Sequence, residues 1–142
     1  MTVYQHILVA VDFGEHSAKV LQHALAMAQL CEAELSVVHV VNYSLPSDTD
    51  HVMPPEDELE GKLLEKAEYQ LRELLEREAS ASGVRTIVTA GRPKVEIVHL
   101  ADREKAELII LGAHGRHGLA GLFGSTSNHV LTHAACNVLV VR

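Results

Sequence analysis

Glycine occupies every third position from Gly112 to Gly124, by way of Gly115, Gly118 and Gly121, and Ser125 and Thr126 follow directly. This spacing suits anion binding. Glycines let backbone N–H groups approach a phosphate with no Cβ in the way, and they accept positive φ. The apolar run Leu108 to Leu111 ahead of them reads as a buried strand, and beyond Thr126 the pattern turns helical, with Val130 and Leu131 as buried positions. A helix starting there offers unpaired N–H donors and a partial positive charge. A serine or threonine at its start either caps it or binds a phosphate oxygen. The same glycines also suit a plain strand-to-helix connection, and the local sequence leaves both readings open. Two nucleotide fingerprints are absent: no lysine follows as in G-x-x-x-x-G-K-[ST], and the spacing is not G-x-G-x-x-G.

A second polar group stands at the end of an apolar run, where Asp12 follows Ile7 to Val11 and precedes Phe13 and Gly14. Such a carboxylate can accept from ribose hydroxyls or hold a divalent cation, and it can equally cap the helix that follows. Ten histidines invite a metal reading, and His129 and His133 share one helix face. A zinc site needs a third ligand, and no H-E-x-x-H is present, so solvated or core histidines are expected. Cys31 and Cys136 are isolated among apolar residues with no C-x-x-C, which fits inert thiols in a reducing compartment.

The elements that must position these groups alternate. Strands are expected at Ile7 to Val11, Leu35 to Val41, Thr86 to Thr89, Leu108 to Leu111 and Val138 to Val141. Helical spacing marks Ser17 to Leu30, the stretch after Pro55 up to Gly83, Val95 to Glu104, and Ser127 to His133. Asn42 to Pro55, with three prolines, reads as a loop or lid. Strict β-α-β alternation implies an α/β fold with a parallel sheet and helices on both faces. Ligands then bind outside the carboxyl ends of the strands where the strand order reverses. If the first and fourth strands are neighbours there, Asp12 and the glycine segment face one crevice.

Composition sets the outer bounds. A chain of 142 residues fits one domain, residues 1–142. The formal net charge of −7 argues against nucleic acid and against an anionic membrane surface as partners. No apolar run approaches the roughly 18 residues of a membrane span. The start enters a strand-like run without a basic segment and apolar core, so a cytoplasmic location is expected.

The segments HILVAVDF, LSVVHVV, GRPKVEIVHLADREKAELIILGAHGRHG and GSTSNHVLTHAACNVLVVR together resemble the universal stress protein family in its small single-domain form. The resemblance covers essentially the whole chain. It implies a Rossmann-like open sheet of five parallel strands in the order 3-2-1-4-5, which sets strands one and four side by side. The family's nucleotide signature is G-x-x-G, nine residues, then G-[ST]. Gly112 and Gly115 match the first pair and Gly124 with Ser125 the last, although eight residues separate Gly115 from Gly124. A serine common two residues after the aspartate is here Gly14.

Carried over by position, Asp12 would meet the ribose or the metal, and the backbone of Val40 or Val41 the adenine. Gly112, Gly115, Gly124, Ser125 and Thr126 would hold the phosphates, with His114 and Arg116 nearby. The implied ligand is ATP with Mg2+ or Mn2+, the metal reaching Asp12 through the nucleotide. The resemblance further implies a homodimer through Val138 to Val141 and a regulatory role in the stress response, toward a protein partner the sequence does not identify. Two other activities are compatible with these residues. One is a homodimeric interaction module that binds no nucleotide, which the short glycine loop favours. The other is slow ATP hydrolysis or autophosphorylation on Ser125 or Thr126, for which no dedicated base or lysine cradle is evident.

Overall fold

Ile7, Leu8 and Val9 are three consecutive fully buried residues. Successive side chains of a strand point to opposite faces, so such a run requires cover on both sides of its sheet. The computed structural model describes residues 3–42, 56–78, 81, 83–113 and 124–142. Nine elements follow in strict alternation: β1 (His6–Ala10), α1 (Ser17–Cys31), β2 (Glu34–Asn42), α2 (Glu56–Glu76), β3 (Arg85–Gly91), α3 (Pro93–Arg103), β4 (Leu108–Gly112), α4 (Ser125–His133) and β5 (Asn137–Val141). The five strands form one sheet in the order β3-β2-β1-β4-β5. Every neighbouring pair is parallel.

One face carries Ile7, Val9, Leu35, Val37, Leu108 and Ile110, packed with Val20, Leu21 and Ala24 of α1 and Leu71 and Leu74 of α2. The other carries Leu8, Val38, Val40, Ile109 and Leu111, packed with Ile97, Leu100 and Ala101 of α3 and Val130 of α4. Alternation along each strand therefore feeds two cores from one apolar run. At the amino-terminal end the sheet is fastened by a polar cluster. His6 donates from Nδ1 to the Glu104 carbonyl at 2.8 Å, because a carbonyl only accepts, and its Nε2 then accepts from the buried Ser36 hydroxyl at 2.8 Å.

The expected elements are all present, with shifted ends. α3 starts at Pro93 rather than Val95, because proline at the first helical position has no N–H to leave unpaired. The long helix stops at Glu76 instead of reaching Gly83; Glu78 donates back to the Leu75 carbonyl at 3.0 Å, a tighter turn than the helix uses. Gly83 has φ +85°, a conformation that favours glycine. α4 starts two residues before the expected Ser127, which brings Ser125 and Thr126 inside its first turn. Of the expected loop from Asn42 to Pro55, Asn42 closes β2 and the remainder lies outside the described residues.

Candidate functional site

Strand order reverses between β1 and β4: from β1 the chain builds outward to β2 and β3, and from β4 outward to β5. The register pairs Ile7 with Leu108 and Val9 with Ile110, and its continuation carries Val11 level with Gly112. The carboxyl ends of β1 and β4 thus open side by side, at the switch point where α/β sheets take ligands. Asp12 leaves one end and the glycine segment leaves the other.

The Asp12 carboxylate is exposed and half committed. Its Oδ1 accepts from the Gly14 N–H at 2.8 Å and from the Ser17 hydroxyl at 3.1 Å. Among the described residues Oδ2 has no partner, which leaves it open to a ribose hydroxyl or to a nucleotide-bound cation. Asp12 is not the residue that caps α1, since the N-cap position is His16. Asp12 instead closes a tight turn on itself and ties it to the first residue of α1. Gly14 suits that turn, since a Cβ there would sit 3.0 Å from Asp12 Oδ1.

Phe13 and His39 complete this corner, and the sequence reading did not single them out. Phe13 is left-handed, with φ 64°, an uncommon state for a bulky residue. Its ring stacks on His39 with centroids 4.0 Å apart and planes inclined by 28°. His39 donates from Nδ1 to the Val11 carbonyl at 2.7 Å. The available signal was a histidine inside the apolar run LSVVHVV, because a polar side chain in a buried strand needs a partner.

Val40 and Val41 separate on geometry. β2 pairs with β1 only as far as Val38, and the Val38 carbonyl accepts the Val11 N–H at 3.0 Å. The backbone groups of alternate residues point the same way, so those of Val40 face the β1 side, where β1 has ended. Val41 turns toward β3, level with Ala90. A ligand edge in the opening would therefore meet the backbone of Val40.

On the β4 side, Gly112 ends the strand and Gly124 caps α4. The Ala113 N–H donates to the Val141 carbonyl at 2.8 Å, and the Gly124 N–H donates to the Ala113 carbonyl at 3.0 Å. These two bonds bring the end of β4 and the start of α4 together at one backbone contact. Gly124 has φ −68° and ψ 165°, open to any residue, so positive φ is not its reason for being glycine. Among the described residues no side chain caps α4, and the Ser127 hydroxyl turns back to the Gly124 carbonyl at 3.0 Å. The first N–H groups of α4, on Ser125, Thr126 and Ser127, are the donors a helix leaves without internal partners. His114, Gly115 and Arg116 lie outside the described residues.

Among the described residues no cluster of three or more His, Cys, Asp or Glu could hold a metal ion. A Mg2+ ion held by one carboxylate and by phosphates fits Asp12, since Mg2+ usually keeps waters and binds through one or two carboxylates plus substrate. His129 and His133 stack at 4.0 Å instead of opening toward a shared ligand. A cleft at the opposite end of the sheet, lined by Gln29, Glu34, Val84 and Arg85, lies away from the switch point. No helix among the described residues is long and apolar enough to cross a membrane.

Comparison with known proteins agrees with this geometry. A chain of Coxiella burnetii (strain RSA 493 / Nine Mile phase I), universal stress protein A homolog 1, is 34% identical over 139 residues, covering 97% of this chain and 96% of that one. The structure of universal stress protein UspA from Lactobacillus plantarum superposes with a TM-score of 0.78 at 31% identity, covering 98% of each chain. A universal stress protein solved in complex with cAMP superposes with a TM-score of 0.73 at 26% identity, covering 98% of this chain and 97% of that one. The model of the universal stress protein family matches residues 3–142. This chain belongs to the universal stress protein family.

Proposed function

We propose that this stress protein binds an adenine nucleotide, ATP with its Mg2+ or Mn2+, between the carboxyl ends of β1 and β4, and works in the cytoplasm as a homodimeric switch read by a partner. The observation that carries the reading is the pairing of two unlike groups at the switch point. Asp12 holds one carboxylate oxygen fixed and, among the described residues, the other open, and α4 starts beside the end of the neighbouring β4, where the Gly124 N–H meets the Ala113 carbonyl. The first suits ribose or a cation; the second suits phosphate. The relative solved with cAMP supports an adenine nucleotide as the ligand class. In this reading Val40 supplies a backbone edge for the base and Ser125 and Thr126 meet the phosphates; the family resemblance assigns Gly112, His114, Gly115 and Arg116 to the phosphates as well.

The dimer reading rests on β5. Among the described residues this strand pairs with β4 alone, and Val138, Leu139 and Val140 along it are only half-buried. An apolar edge strand left open invites pairing with another chain, and a second copy provides it.

Gly124→Val tests the nucleotide reading. Valine accepts the backbone angles of Gly124, so the fold should persist, while its side chain stands where phosphate would approach the start of α4. The expected result is an unchanged melting temperature with ATP affinity lost by at least about tenfold, one decade being about 1.4 kcal/mol. Wild-type affinity in the variant would remove the phosphates from α4.

A further inference from the structure

His39 touches the chain on both sides of Asp12: Nδ1 donates to the carbonyl of Val11, and the ring stacks on Phe13. Between those contacts Phe13 is left-handed, and this turn brings the Gly14 N–H back to within 2.8 Å of Asp12 Oδ1. A phenylalanine rarely adopts that backbone state without surroundings that impose it. Here the Phe13 ring lies against the imidazole, which is rooted in β2 and fixed by its own hydrogen bond. Asp12 itself is exposed, so the core gains little from aiming its carboxylate.

We propose that Phe13 and His39 are positioning residues for ligand recognition: their stack sets the Asp12 carboxylate so that Oδ1 is occupied by the protein and Oδ2 is left to accept from a ribose hydroxyl. The proposal rests on the nucleotide reading above and adds the device that gives the site its preference for a hydroxylated sugar. His39 fixes the peptide before Asp12, Phe13 fixes the turn after it, and Gly14 and Ser17 saturate one oxygen. Removal of either ring frees the turn and lets Asp12 swing while the sheet below stays intact.

The test compares Mg-ATP with Mg-2′,3′-dideoxy-ATP by calorimetric titration of the full chain and of Phe13→Leu, His39→Asn and Phe13→Tyr. Leucine keeps bulk without a ring, asparagine keeps a donor for the Val11 carbonyl without a ring, and tyrosine keeps the stack. Wild type should prefer ATP by about tenfold or more, as a hydrogen bond to a charged acceptor implies. Phe13→Leu and His39→Asn should bind dideoxy-ATP as wild type does yet lose that preference to within about twofold, and Phe13→Tyr should regain it. Preference retained in Phe13→Leu and His39→Asn would overturn the proposal and leave the nucleotide reading standing. A wild type that binds neither nucleotide would overturn both. If Phe13→Leu does not fold, His39→Asn decides alone.

Discussion

Replacing Asp12 by asparagine and by alanine separates its service to the ligand from its service to the fold. Oδ1 accepts two hydrogen bonds, from Gly14 at 2.8 Å and from Ser17 at 3.1 Å. Asparagine keeps a carbonyl oxygen for both donors and puts an NH2 group in place of Oδ2. Alanine loses both bonds and leaves the buried Ser17 hydroxyl to find another acceptor. At about 0.5–1.5 kcal/mol for each bond, and toward the lower end because the carboxylate is exposed, Asp12→Ala should cost about 1.5 kcal/mol. For a chain of this length that lowers the melting temperature by about 5 °C, whereas Asp12→Asn should stay within about 1 °C of wild type. Binding should order differently. Both variants lack the accepting Oδ2, and a hydrogen bond to a charged group is worth about 1.5–3 kcal/mol, so each should lose about 10- to 150-fold in ATP affinity. Thermal unfolding followed by circular dichroism and calorimetric titration with Mg-ATP would measure the two effects on the same samples. An Asp12→Asn protein that binds ATP as wild type does would refute the reasoning, as would one that melts with Asp12→Ala.

Other outcomes follow from single features. Proline at Val140 should yield a monomer, because Val140 turns its N–H to the open side of β5 while Val141 engages β4; light scattering should move from twice the 15.5 kDa chain mass to once, and a persistent dimer would place the interface elsewhere. His129 titrates below the ordinary imidazole value, through burial first and then the nearby His133 and Lys94 charges. The unfolded chain therefore takes up that proton first, and its contribution to stability is complete above pH of about 6.5 and declines as pH falls from there toward the folded value. In an NMR titration His133→Gln should raise the His129 midpoint toward the ordinary value, and an unmoved midpoint would contradict the assigned neighbour.

The alternation of strands and helices was legible because the runs at Ile7 to Val11, Leu108 to Leu111 and Val138 to Val141 are uninterrupted and apolar, and Leu8 and Val9 can be buried together only in a sheet covered on both sides. The placing of Asp12 and Gly112 at strand ends was legible for the same reason. The choice between Val40 and Val41 was not, since it depends on where β1 stops against β2. Nor was the start of α4: Ser125, Thr126 and Ser127 share a chemistry that suits either side of a helix boundary, and it is the Asn128 N–H donating to the Gly124 carbonyl at 3.1 Å that marks the start. Phe13 was passed over because its ring partner is 26 positions away, and its left-handed backbone is a state a phenylalanine rarely adopts. His6 and Ser36 escaped likewise, each polar residue satisfied by the other only once β1 and β2 lie side by side.

Calorimetric titration of the nucleotide-stripped wild-type chain with Mg-ATP decides whether a nucleotide occupies the switch point between β1 and β4. The expected result is saturable binding of one nucleotide per chain at micromolar dissociation constant or tighter, about 8 kcal/mol or more. An absence of heat, together with no nucleotide carried through purification, would contradict it and leave the glycine segment as a connection between β4 and α4 in a partner-binding dimer.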